Sequence, residues 1–153
     1  MNPGEIAPDF TLPDVHEEPF RLADLYAEKP VLLVLSRGFL CPFSRRHMLR
    51  LRRDYPEFVR RGAEVVVVGP ENPEPFRQRW VHWKLPFIGV PDPGRIALDR
   101  YGQRSALLSL GRLPAQFLIA RGGELLLVRH GRNMADIAAN GEMLALLDET
   151  TGG

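Results

Sequence analysis

Apolar positions along the chain fall into two rhythms. Val31-Leu32-Leu33-Val34-Leu35 is a continuous apolar run, which predicts a strand buried on both faces. Pro42 to Arg61 spaces Phe43, Met48, Leu49, Leu51, Tyr55, Phe58 and Val59 among many arginines. That is the spacing of an amphipathic helix, with a kink or restart expected at Pro56. Ala63 to Val68 predicts a second buried strand, closed by Gly69-Pro70. Asn72-Pro73-Glu74 combines a cap residue, a first-turn proline and a first-turn acid, opening a helix expected to reach about Lys84. Phe87 to Val90 reads as a short strand. Asp92-Pro93 repeats the helix-opening signal, and Gly102 ends that helix. Ala115–Ala120 and Glu124–Arg129 flank Arg121-Gly122-Gly123 and predict a β-hairpin. Asn133 is expected to cap a final helix, with Asp136 in its first turn and its end near Leu147. Parallel βαβ units followed by an antiparallel hairpin imply an α/β domain, one mixed central sheet flanked by helices on both faces.

Composition narrows the class. The chain has 153 residues, 44% of them hydrophobic and 25% charged, as expected of one globular domain, here residues 3–150. No apolar run approaches the roughly 20 residues a membrane helix needs, and the first residues carry no basic-then-apolar pattern of a secretory signal. The net charge is +1, so bulk electrostatics points to neither nucleic acid nor a membrane as partner. Arg45, Arg46, Arg50, Arg52, Arg53, Arg60 and Arg61 read as the solvated face of their helix. Trp80, Trp83 and Phe87 are expected to pack the following helix against the sheet. His16, His47, His82 and His130 lack metal-ligand spacing; surface or locally bonded positions are expected, with His47 able to face the rim of the Cys41 helix. No metal or cofactor is implied.

The chain contains one cysteine, Cys41. No intramolecular disulfide and no cysteine-rich metal site can form, and a reducing, cytoplasmic setting is the expectation. Most lone cysteines are small buried apolar residues. Here the residue follows a strand and directly precedes Pro42, which suits the first position of a helix. A thiol there faces unpaired amides and the positive end of the helix dipole, both of which favour thiolate. Arg37, Arg45 and Arg46 add positive potential, and the Ser44 hydroxyl is within reach of the sulfur.

Four motifs then occur in a familiar order. Gly4-Glu-Ile-Ala-Pro-Asp-Phe-Thr-Leu-Pro-Asp14 resembles the N-terminal signature of the alkyl hydroperoxide reductase/thiol-specific antioxidant group, which includes the peroxiredoxins. Ser36-Arg-Gly-Phe-Leu-Cys-Pro-Phe-Ser44 resembles the segment that carries their reactive cysteine. Leu85-Pro-Phe87, Asp92 and Tyr101-Gly102 resemble the stretch before the central hairpin. Leu113-Pro-Ala-Gln-Phe-Leu-Ile119 with Gly122-Gly123 resembles the late strand, and Pro114 stands in the place of the cis-proline. The resemblance spans roughly residues 3 to 148.

It implies a thioredoxin-like fold of the peroxiredoxin variety, with an added N-terminal strand or hairpin. It also implies a peroxidatic role for Cys41, whose thiolate would attack a peroxide O–O bond and become a sulfenic acid. Gly38 stands where peroxiredoxins carry Thr or Ser, and Pro114 where they carry Arg, so Arg37 or Arg112 is expected to substitute. Arg37, Ser44 and Arg112 are the expected thiolate stabilisers. Gly38, Phe39, Leu40, Pro42, Leu113 and Pro114 are the expected substrate walls, Phe39 and Leu40 forming an apolar mouth. Ser44 replaces a frequent second cysteine, so the reductant would be an external thiol such as glutathione or thioredoxin. Two alternatives remain: a monothiol transferase whose Leu113 backbone pairs with glutathione, and a non-enzymatic binding member of the fold. Relatives often form homodimers, and this chain is a candidate for the same.

Overall fold

The computed structural model describes residues 1–106 and 111–151. The expected β3 forms over Val31–Leu35 and lies at the centre of a five-stranded sheet, every residue of it buried. Before it come a hairpin, β1 (Thr11–Pro13) and β2 (Pro19–Arg21), and a short helix α1 (Leu22–Tyr26) absent from the sequence reading. After it come α2 (Pro42–Arg60), β4 (Glu64–Gly69), α3 (Pro73–His82), β5 (Ile88–Pro91), α4 (Ile96–Arg100), the two-residue pair β6 (Ser105–Ala106) and β7 (Gly111–Arg112), β8 (Ala115–Ile119), β9 (Leu125–His130) and α5 (Asn140–Thr151). The large sheet runs β5-β4-β3-β8-β9. β3, β4 and β5 are mutually parallel, while β8 and β9 run antiparallel.

Strand alternation divides the core. Leu33, Leu35, Val66, Val68 and Phe117 face α1, α4 and the N-terminal segment, meeting Phe10, Leu22, Leu98 and Tyr101. Leu32, Val34, Val65, Val67 and Leu118 face α2, α3 and α5, meeting Met48, Leu51, Phe58, Trp80 and Met143. Two apolar faces explain why β3 and β4 read as unbroken apolar runs rather than alternating ones. Trp80 lies edge-on to Phe87 and against Gly89, where an added Cβ would come within 2.8 Å of the indole.

Three local expectations are corrected. Pro56 does not restart α2, which runs through it for 19 residues. Its missing N–H removes one helical bond, and burial of Leu51 and Phe58 on either side holds the helix together. Asp92 does cap α4, but the helix begins three residues after Pro93, at Ile96. Oδ1 accepts from the Ile96 amide at 2.8 Å and Oδ2 from Leu98 at 2.9 Å, so the chain turns through Pro93-Gly94 first. Asn133 caps a tight turn instead of the last helix, accepting from the Ala135 amide at 3.0 Å. Asp136 is held by Arg129, Arg132 and the Arg132 amide, and α5 starts only at Asn140.

Candidate active site

β3 ends in a hydrogen-bonded loop that delivers Cys41 to the N-terminus of α2. The Ser36 amide donates to the Val68 carbonyl at 2.9 Å, extending the β3–β4 pairing by one residue. The Ser36 hydroxyl then accepts from the Gly38 amide at 3.2 Å. Gly38 has φ +97°, the left-handed region that favours glycine. The Cys41 amide donates to the Gly38 carbonyl at 3.2 Å, closing the turn. Cys41 is itself the N-cap residue of α2, with Pro42 in the first helical turn and Arg45 donating to the Cys41 carbonyl at 3.0 Å.

The sulfur sits where the first-turn amides are unpaired. Burial pushes the Cys41 thiol up, but the Ser44 amide and hydroxyl, the Phe43 amide and the Arg37 charge outweigh it and leave the thiol below its ordinary value. Arg37 Nη1 lies 3.5 Å from Sγ. The Ser44 hydroxyl oxygen accepts from the Arg37 amide at 3.1 Å, which ties the first turn of α2 to the residue that carries the guanidinium. The arrangement can hold a nucleophilic thiolate and offer a donor to the group that leaves the substrate it attacks.

The other sequence-predicted residues separate. Leu40 is 78% exposed beside the thiol, and Pro42 is exposed too. Phe39 points the other way: its ring is buried edge-on to Phe76 and Trp80, so it supports the loop from beneath and offers no surface to a ligand. Gly38 is buried against the Glu71 carboxylate. Arg112 is drawn down by burial and by Arg95, and up by Asp92, Asp99 and Glu71. The net effect leaves Arg112 below its ordinary value, and the arginine in contact with the thiol is Arg37.

Leu113 cannot offer its backbone to glutathione as it stands. Its amide donates to Arg104 at 2.7 Å, and its carbonyl accepts from Gln103 Nε2 at 3.2 Å. Among the described residues no peptide bond is cis, so Pro114 is trans, contrary to the expectation. The chain enters β8 in the default isomer, with the Pro114 carbonyl accepting from Gly131 at 2.8 Å.

Sequence reasoning missed two supporting groups and misplaced a third side chain. Gln103 bridges the Ser36 and Leu113 carbonyls. Glu71 accepts from the Phe39 amide at 2.7 Å. His47 is fully buried on α2 rather than at a surface, and burial, with Arg50 nearby, pushes it down to about 3. The position of Glu71 just beyond β4 was the available signal, since ligand sites of open α/β sheets gather at the carboxyl ends of parallel strands.

Fold and site together define a thiol oxidoreductase of thioredoxin-like architecture. The chain belongs to the AhpC/TSA family, whose family model matches residues 3–128. It is 33% identical to the thiol-disulfide oxidoreductase ResA of Halalkalibacterium halodurans, over 84% of this chain and 68% of that protein. It is 28% identical to the chloroplastic peroxiredoxin Q of Sedum lineare, over 82% of this chain and 67% of that one. In structure it is similar to the peroxidoxin BcpB of Mycobacterium tuberculosis, with a TM-score of 0.85, 22% identity and 97% of each chain covered.

Proposed function

We propose that this protein is a one-cysteine thiol peroxidase. The observation that carries the reading is the seat of the sole thiol at the N-cap of α2, with the Arg37 guanidinium 3.5 Å from its sulfur. The Cys41 thiolate attacks one oxygen of a hydroperoxide, the O–O bond breaks, and the other oxygen leaves as water or an alcohol after taking a proton. Cys41 becomes a sulfenic acid. An external thiol condenses with it, releasing water and forming a mixed disulfide. A second thiol attacks that disulfide, restoring Cys41 and leaving with the first as a disulfide. Glutathione and thioredoxin are the candidate reductants, with a reducing cytoplasm the compartment that suits a single thiol.

The likeness to ResA favours a second reading, thiol–disulfide exchange without peroxide. With one cysteine that chemistry runs through mixed disulfides only. Stopped-flow oxidation of Cys41 by a stoichiometric peroxide separates the two, with sulfenic acid confirmed by intact mass and Cys41→Ser as the blank. Peroxidase activity requires a rate orders of magnitude above that of a free thiolate. A rate no faster than a free thiolate defeats it and leaves exchange.

A further inference from the structure

Glu71 lies two residues beyond β4 and is 30 residues away from Cys41 in sequence. Its carboxylate is packed between two glycines. A Cβ added at Gly38 would lie 2.9 Å from Oε2, and one at Gly69 would lie 2.8 Å from Oε1. Oε2 accepts the Phe39 amide at 2.7 Å. Oε1 is shielded from solvent and has no hydrogen-bond donor among the described residues. Burying a carboxylate oxygen without a donor is costly, and native structures keep few such groups without a reason.

The reason lies in the loop that Glu71 grips. Phe39 is held from three directions: its amide by Glu71, its carbonyl by Arg45 Nη1 at 2.9 Å, and its ring by Phe76 and Trp80. Gly38, next to it, accepts the Cys41 amide. The position of the sulfur therefore depends on where Phe39 is fixed. Glu71 touches this loop through the Phe39 amide, so the backbone is the route by which the carboxylate reaches the thiol.

We infer that Glu71 is a positioning residue for Cys41, clamping the Gly38–Leu40 turn through the Phe39 amide so that the sulfur stays beside Arg37 at the N-terminus of α2. This rests on Cys41 being the reactive thiol, as in the function proposed above. A carboxylate acting only through its charge has the opposite effect, because a nearby negative charge opposes thiolate formation. Removing the clamp must raise the midpoint of thiol ionisation; removing a mere charge must lower it.

The test is the rate of Cys41 alkylation by iodoacetamide against pH, with circular dichroism verifying the fold. Glu71→Gln keeps the reach and an acceptor oxygen but loses the charge. Glu71→Asp keeps the charge but withdraws the oxygen by one methylene. Glu71→Ala and Glu71→Asp are expected to raise the midpoint by ~0.5 pH unit or more, a roughly threefold slower reaction at pH 7. Glu71→Gln is expected to rise less than either or not at all. The inference is overturned if Glu71→Asp leaves the midpoint in place or lowers it, or if Glu71→Gln raises it as much as Glu71→Asp. The Gln and Asp variants decide the matter even if Glu71→Ala does not fold. Iodoacetamide needs only a thiolate, so slow oxidation of the wild type by peroxide would defeat the proposed activity without touching this result.

Discussion

Arg37 and Cys41 are four residues apart, and Nη1 of the first lies 3.5 Å from Sγ of the second. The turn between them folds the guanidinium back over the thiol. Arg37 is one of the two arginines, with Arg112, that the sequence offers for a cation beside the thiol, and it is the one in contact with the sulfur. Arg37→Met is expected to slow oxidation of Cys41 by hydrogen peroxide on the order of tenfold, the scale of one charge-assisted hydrogen bond near a partly exposed group. Arg37→Lys should recover only part of the loss, since an ammonium lacks the rigid planar fork. Stopped-flow rates of the three proteins decide it, and equal rates would remove Arg37 from the mechanism.

His47 gives the fold an acid limit. In the native state it stays neutral down to about pH 3, whereas in the unfolded chain it takes a proton near 6.5. Below 6.5 the unfolded state binds more protons, so stability is complete above 6.5 and is lost as pH falls toward 3. The slope approaches ~1.4 kcal/mol per pH unit for one proton. The carboxylates held low by arginine, Asp54, Asp136 and Asp148, add their own losses only around and below the ordinary carboxylate range. Burial also holds His130 below its ordinary value, so it contributes with the same sign between pH 7 and pH 5, and urea titrations of the wild type and His47→Leu over that interval isolate His47 by difference. His47→Leu should flatten that interval, and an unchanged slope would contradict the account.

Gly89 is expected to tolerate no side chain. Its Cβ would meet three atoms of the Trp80 ring at 2.8 Å, and an indole packed against Phe76 and Phe87 cannot swing aside as a flexible chain end would. Gly89→Ala should destabilise the protein by about 1–3 kcal/mol, the usual scale of overpacking. Calorimetric melting measures this, and a melting temperature at or above the wild type would show that the β5–α3 contact yields more easily than its geometry suggests.

Much of this architecture was legible because its signals are local. The apolar runs of β3 and β4 announce burial on both faces, and Cys41-Pro42 after a strand announces a thiol at a helix start. Asp92 was read correctly as a cap and its helix misplaced, because the turn through Pro93-Gly94 is set by the reach of its two oxygens. Asn133 failed for a related reason: the Asp136 carboxylate captures Arg129 and Arg132 and folds that segment into a turn. Glu71 and Gln103 carry no local signature. They reach the active-site loop only because β4 lies parallel to β3 and the chain returns past the end of β3 beyond α4. Phe39 looked like a mouth residue from its place beside Cys41, but the left-handed turn at Gly38 sends its ring inward.

The inward ring of Phe39 also makes the site observable. It stands edge-on to Trp80 with ring centroids 6.3 Å apart, so a change in the seating of the reactive loop changes the surroundings of an indole. The protein carries its own optical reporter. Emission from Trp80 should follow each passage of Cys41 between oxidation states that moves the loop, in real time and without a label.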